Sequence, residues 1–348
     1  MEGTAALAAK TGRAARTAHS FLRNETMAIL ITGSMGHVGF EVVRQAAARG
    51  HAIVAQYRGT FREAEAKTIQ GNVQWVRCDL TSTDDVAALL KAHAVEGCIH
   101  TAAVPNEIFC RPEPLNAVNV NVTAVATLLD AARVHKWRRL IYVSTGSVFQ
   151  NATDVTKPIY EDAQQAVTTI YSTTKYCGEL LTTMYRSQFN VPAATVRISW
   201  VYGPPLVTKQ LDPSRGPIPF LLRCAIAGIP VREKSGGDFG ASFTFVSDVA
   251  GGLLAAYEAQ TLNHDIYHLG SGVNYTSSQV AKAIKAVIPG ADIEIGPGTS
   301  PWTDNGKMRG PLSGDRLFKD SGWRPSYTLD TGIKAFADWM REHPESVA

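Results

Sequence analysis

The stretch AILITGSMGHVG, residues 28–39, decides how the chain is to be read. Its first five residues, Ala28–Thr32, are a continuous apolar run with the length of a buried strand. Gly33, Gly36 and Gly39 follow at three-residue spacing, and an amphipathic stretch through Val38–Ala48 comes next. Strand, glycine turn and helix in that order make an anion site. Gly33 permits the tight turn, Gly36 lets the backbone approach a pyrophosphate, Gly39 lets helix and strand pack closely, and the helix N-terminus faces the anion. Ser34, Met35, His37 and Val38 complete the turn and are candidates for the same ligand, a dinucleotide.

Beyond this unit, apolar runs alternate with amphipathic ones. Ala52–Gln56, Val73–Cys78, Gly97–His100, Arg139–Ser144 and Ala193–Ile198 read as strands; Asp84–Ala92, Val118–Ala132 and Tyr171–Ser187 read as helices. Continuous apolar strands between helices predict an α/β fold, a Rossmann-type doubly wound parallel sheet covered on both faces. After Gly203 the texture changes. Prolines and glycines crowd Pro204–Pro219, Leu221–Ala227 reads as helical, Phe243–Tyr257 as a strand end and helix, Asp265–Leu269 as a short strand, and Ser277–Met340 as helix, strand and helix. The expected division is a dinucleotide-binding domain over 27–203, with 243–272 returning to it, and a smaller C-terminal substrate-binding lobe from 204–242 and 273–348. Residues 1–26, alanine-rich with Arg13, Arg16 and Arg23, stand apart as an N-terminal extension: a transit peptide, a surface helix, or sequence upstream of Met27 as the natural start.

Composition narrows the function classes. The 348 residues are 45% hydrophobic and 19% charged, which is ordinary globular composition. A formal net charge of +3 without a basic run argues against a nucleic-acid partner. Five scattered cysteines with no C-x-x-C pair give no support to a metal and suit a reducing, cytoplasmic setting. No apolar stretch reads as long enough to span a bilayer.

Two further patterns carry chemistry. Where the second strand ends, an NAD site usually places an acid for the ribose hydroxyls; here Tyr57 stands there and Arg58 follows. Without a carboxylate to repel it, and with a guanidinium beside it, a 2′-phosphate is favoured, so NADP is expected ahead of NAD. Tyr171-Ser172-Thr173-Thr174-Lys175 is Y-x-x-x-K, and residues i and i+4 share a helix face. A cation beside the phenol favours the phenolate, and Tyr171 could then exchange a proton with a hydroxyl or carbonyl carbon.

The motifs together resemble the extended short-chain dehydrogenase/reductase superfamily, and within it the NAD(P)-dependent epimerase/dehydratase group. The resemblance runs through TGxxGxxG at Thr32–Gly39, Asp79 and Leu80 after the third strand, His100-Thr101-Ala102-Ala103, Asn121, Tyr171 with Lys175, Arg197 through Pro204, Phe245 through Ala250, and Gly322 through Pro325. It implies that Thr101, Ala102 and Ala103 line the cofactor and that Asp79 contacts adenine. It aligns Thr145 with the catalytic hydroxyl, with Ser144 one residue off and Ser147 the rival. It implies substrate contacts at Ser147, Tyr202 and Arg309, and a homodimer through the helices near Val118–Ala132 and Tyr171–Ser187.

Departures from the family pattern bear on the reaction. Dehydratases carry Asp-Glu directly after the catalytic threonine; here Gly146 and Ser147 stand there, so an elimination lacks its acid. Ala241-Ser242 precedes Phe243 where nucleotide-sugar enzymes often have a diphosphate-holding arginine, and Arg309 would suit a phosphate or a carboxylate. The expectation is an epimerase acting on a sugar or nucleotide sugar through a transient ketone. The alternatives are a dehydrogenase or reductase of a sugar, sugar acid or other small hydroxylated molecule, and a dinucleotide-binding protein without chemistry.

Overall fold

The computed structural model describes residues 27–150, 154–205, 216–304 and 307–346; the extension 1–26 lies outside them. Seven strands form one sheet: β1 (Ala28–Thr32), β2 (Ile53–Tyr57), β3 (Val73–Arg77), β4 (Val95–His100), β5 (Arg139–Thr145), β6 (Ala193–Ile198) and β7 (Ile266–Leu269). Every pair is parallel, in the order β7-β6-β5-β4-β1-β2-β3. The order reverses between β1 and β4, so the loops after these two strands diverge and open a crevice at their carboxyl ends.

Alternate side chains of the apolar strands enter opposite cores. Ile29 and Ile31 of β1 join Ile99, Ile141 and Val196 beneath the helices His37–Ala48 and Val246–Glu258. Leu30 joins Cys98, Leu140 and Tyr142 on the other face, under Thr83–Ala92 and Ala124–Val134. A third core, with Phe220, Leu222, Phe239, Val280, Ile284, Phe336 and Met340, builds the lobe from Pro217–Ile226, Ser277–Val287 and Leu329–Glu342.

Some elements differ from their sequence reading. The helix expected to start at Leu221 begins at Pro217, since proline is favoured in a first turn where its missing N–H costs nothing. The Val118–Ala132 helix extends over Pro114–Val134, interrupted by a π turn at Asn119–Thr123. The π turn directs Asn121 inward. Its amide accepts from Val104 N (2.9 Å) and donates to Val104 O (3.2 Å) and Thr174 Oγ1 (3.1 Å), which fixes the loop after β4 against the helix Ile170–Phe189. The extended run, 21 residues long with an 18-residue stretch of mean hydropathy 1.2, is by length and composition long and apolar enough to cross a membrane, against the expectation from the sequence. Here its buried Ala124, Val125, Leu128 and Leu129 pack against the sheet, the behaviour of a core helix.

Under the helix Ile170–Phe189 lies a buried ion pair. Arg197 Nε and Nη2 donate to Glu179 at 2.9 and 2.7 Å, Ser144 Oγ donates to the same carboxylate at 2.5 Å, and both charges are out of water. Arg197 Nη1 also reaches His268 Nε2 at 3.3 Å on β7, so one guanidinium links the helix, β6 and β7. Removing one partner strands the other charge. Arg197→Met is expected to cost about 3–5 kcal/mol, and adding Glu179→Leu to recover most of it; urea denaturation of the three proteins checks this.

Candidate active site

The crevice beyond β1, β4 and β5 is a cleft of about 960 Å³. One end is the glycine turn. Gly33 has φ +62°, and a Cβ there would lie 2.8 Å from Ala102 Cα; a Cβ on Gly39 would lie 2.3 Å from Gly33 O. Only glycine lets these backbones approach so closely. The helix after the turn starts at His37, and Gly36 before it brings no capping side chain. The positive end of its dipole therefore faces the cleft, where an anion would be favoured. These features fit the pyrophosphate of a dinucleotide.

Gly33, Met35, Gly36, His37, Val38, Arg58, Asp79, Leu80, Thr101, Ala102 and Ala103 all line this cleft, and so do Thr145, Ser147, Tyr171, Lys175 and Arg309. Two expected residues do not. Ser34 turns inward: its N and Oγ both donate to Gln56 O, at 2.9 and 2.8 Å, so it pins the turn to β2. Tyr202 is buried in the lobe, its ring 5.4 Å from that of Phe245 and its hydroxyl packed over Gly332. The family resemblance implies a substrate contact at Tyr202, but the alternation of strand side chains turns it into the core.

Two residues emerge that the motifs did not mark. Gln56 accepts from Gly33 N (2.9 Å) and donates to Cys78 O (2.6 Å), bracing the glycine turn from below. A polar residue inside an otherwise apolar strand was its available signal. Glu107 accepts from Tyr171 N at 3.0 Å and places a negative charge at the start of the helix that carries Tyr171, where the helix dipole favours it. Nothing local in the sequence ties Glu107 to Tyr171.

That helix, Ile170–Phe189, opens with a reciprocal cap: Thr169 Oγ1 accepts from Ser172 N, and Ser172 Oγ from Thr169 N, both at 3.1 Å. The cap fixes its first turn and therefore Tyr171. Thr145, at the end of β5, hydrogen-bonds the Tyr171 phenol, and its Oγ1 also accepts from Ser147 N at 3.1 Å. Lys175 is buried, with Nζ 4.3 Å from the centre of the Tyr142 ring. Thus Ser144, one residue before Thr145, is committed to Glu179, and Thr145 faces the tyrosine.

Burial sets the electrostatics. It raises Tyr171 to about 12, against lowering contributions from the Thr145 hydrogen bond and the Arg309 charge. The sequence reading expected Lys175 to lower the phenol's pKa. Burial outweighs such help, because the same burial lowers Lys175 to about 7 and weakens it as a cation, with Glu179 opposing. Between there and the ordinary 10.5, the unfolded chain binds more protons than the folded one, so this group's contribution to stability rises with pH. Lys175→Met removes that dependence. Its stability gain over the wild type in urea is expected to be largest near about pH 6.5 and to shrink toward about pH 10; a gain that grows with pH contradicts the assignment.

The chain is similar in sequence and in fold to several known proteins. A UDP-glucuronate 4-epimerase of Thermodesulfobacterium geofontis is 23% identical over 340 residues, covering 91% of this chain and 97% of that protein. The crystal structure of a UDP-glucose 4-epimerase with UDP-glucose from Thermotoga maritima superposes with TM-score 0.80 at 20% identity, covering 91% of this chain and all of that one. A Thermus thermophilus UDP-glucose 4-epimerase in complex with NAD superposes with TM-score 0.77 at 23% identity, covering 90% and 99%. The profile described as the NAD dependent epimerase/dehydratase family matches residues 29–270, most of the chain. The chain belongs to the NAD-dependent epimerase/dehydratase family, in the extended short-chain dehydrogenase/reductase group.

Proposed function

We propose that the protein is an NAD(P)-dependent epimerase of a sugar or nucleotide sugar, working through a transient ketone. The observation that carries this reading is the convergence of Tyr171, Lys175 and Thr145 at one end of a cleft whose other end is the glycine turn. A nicotinamide dinucleotide held by the glycine turn would supply the hydride acceptor and donor, and a positive charge that favours the Tyr171 phenolate. Tyr171 takes the proton of the substrate hydroxyl as that carbon becomes a ketone, and returns it when the ketone is reduced on its other face. Thr145 donates to the substrate oxygen as negative charge develops. On the lobe side Trp200, Phe239 and Trp302 line the cleft and offer apolar faces to a sugar or base. The two UDP-glucose 4-epimerases and the UDP-glucuronate 4-epimerase among its relatives support a nucleotide sugar.

For the cofactor, the Thermus relative holds NAD. NADP is our inference for this chain, because Tyr57 replaces an acid at the end of β2 and Arg58 and Arg62 line the cleft beside it. Arg62 is engaged with Met35 O at 2.9 Å, which leaves Arg58 as the better phosphate partner. We also infer a homodimer: Leu180 and Met184, one turn apart on the catalytic helix, are 54% and 37% exposed, and Leu115 on the neighbouring helix is 78% exposed. The five free thiols suit the reducing cytoplasm.

Incubation with UDP-glucuronate or UDP-glucose should yield the inverted sugar with no net reduced nicotinamide. Reduced nicotinamide accumulating in step with substrate loss would give the dehydrogenase reading instead. Tyr171→Phe should lower turnover about 100-fold or more while leaving nucleotide binding intact; full activity in that variant would sink the mechanism. Arg58→Ala should weaken NADP binding about tenfold and NAD binding little; equal effects on both would remove the case for NADP.

A further inference from the structure

Gly146, directly after Thr145, stands where an acid would sit in a dehydratase, and the space its side chain would fill is taken. A Cβ there would lie 3.0 Å from Arg309 Nε, with Leu312 methyl carbons at 3.3 and 3.5 Å. The missing side chain leaves the guanidinium room beside Thr145, where even a Cβ would crowd Nε. That guanidinium has no carboxylate partner among the described residues, and its buried Nε has no hydrogen-bond acceptor. Burial lowers Arg309 only to about 10, so it is a cation at neutral pH. Its charge is felt by the Tyr171 phenol, which places it at the reacting end of the cleft. Its backbone is held, too: Asn274 Nδ2 donates to Arg309 O at 2.8 Å and to Val155 O at 2.9 Å. A half-buried, anchored cation whose Nε lies buried without an acceptor is unfavourable unless a ligand brings the counter-charge.

Resting on the reading of Tyr171 as the proton-transfer group, we propose that Arg309 binds a carboxylate of the substrate, carried one or two bonds from the carbon that is oxidised, as in a uronic or aldonic acid. A planar carboxylate matches the guanidinium fork. The diphosphate of a nucleotide sugar is a poorer match, because it is joined to the anomeric carbon and a reacting ring hydroxyl such as that on C4 lies across the ring. Gly146 is then a specificity residue by virtue of what it lacks.

The test is calorimetric binding to the cofactor-loaded enzyme of two ligand pairs differing only in carboxylate for hydroxymethyl: UDP-glucuronate with UDP-glucose, and D-glucuronate with D-glucose. UDP alone is the control. The wild type should prefer the carboxylate member by at least about tenfold in one pair, the size of a charge-assisted contact. Arg309→Gln should erase the preference and leave UDP binding unchanged. Gly146→Asp, which keeps Arg309 but fills its niche with an internal carboxylate, should erase it as well. Equal binding within both pairs, a preference that survives either substitution, or a loss of UDP affinity in Arg309→Gln overturns the proposal, the last by making Arg309 a diphosphate clamp. Tyr171→Phe should retain the preference, and a wild type that shows the preference but inverts neither UDP-sugar counts against the epimerase reading alone.

Discussion

The close approach of the Gly33 turn to the end of β4 is the constraint on which the rest of the site depends. With a Cβ on Gly33 only 2.8 Å from Ala102 Cα, any other residue would push the turn away from the sheet. The turn is held from both sides. Thr32 Oγ1 accepts from Thr101 N at 3.1 Å and from Ala102 N at 3.2 Å, and Gln56 holds Gly33 N from the β2 side. Because β4 is in register with β1 (Thr32 opposite His100) and with β5 (His100 opposite Tyr142), fixing that contact also fixes where Thr145 ends up. The backbone geometry of one turn thus sets the span between the glycine turn and the Thr145 hydroxyl.

Burial governs the chemistry at the other end. It raises the Tyr171 phenol and lowers the Lys175 amine, so both groups favour their neutral forms in the protein alone. A site in this state is biased toward proton donation, and added positive charge in the cleft would bias it toward proton acceptance. The network below resists the effect of burial. Glu179 opposes the loss of charge on Lys175 while Arg197 and Ser144 hold it in place. Tyr171, Lys175 and Glu179 follow one another at four-residue spacing on one helix face, so the acid, the amine and the ion pair beneath them share a single rigid support.

The fold was legible because its signal is local and repeated. Each buried strand is a continuous apolar run, and the glycine spacing appears in the strand–turn–helix context that gives it meaning. The grouping of Tyr171, Lys175 and Thr145 in one cleft was legible for the same reason, since Tyr171 and Lys175 are one turn apart and Thr145 ends a strand. What escaped depends on side-chain direction or on long-range contact. Ser34 and Tyr202 occupy expected positions but point away from the cleft. Gln56 and Glu107 matter through contacts 23 and 64 residues away along the chain. The π turn at Asn119–Thr123 has no periodicity signature, because five residues cannot shift a helical pattern visibly. Arg309 was visible as a charge in a loop, but its place in the gap left by Gly146 is a fact of three dimensions.

The central claim, that this fold and catalytic group run a reaction returning its hydride within each turnover, is tested most directly by denaturing the purified protein and identifying the released nucleotide by mass. An enzyme that regenerates its cofactor in place has no need to release it, so the account predicts close to one NAD(P) per chain, retained through purification. A protein that emerges empty, and binds nicotinamide nucleotides only in rapid exchange, would contradict the epimerase reading and point to net oxidation or reduction.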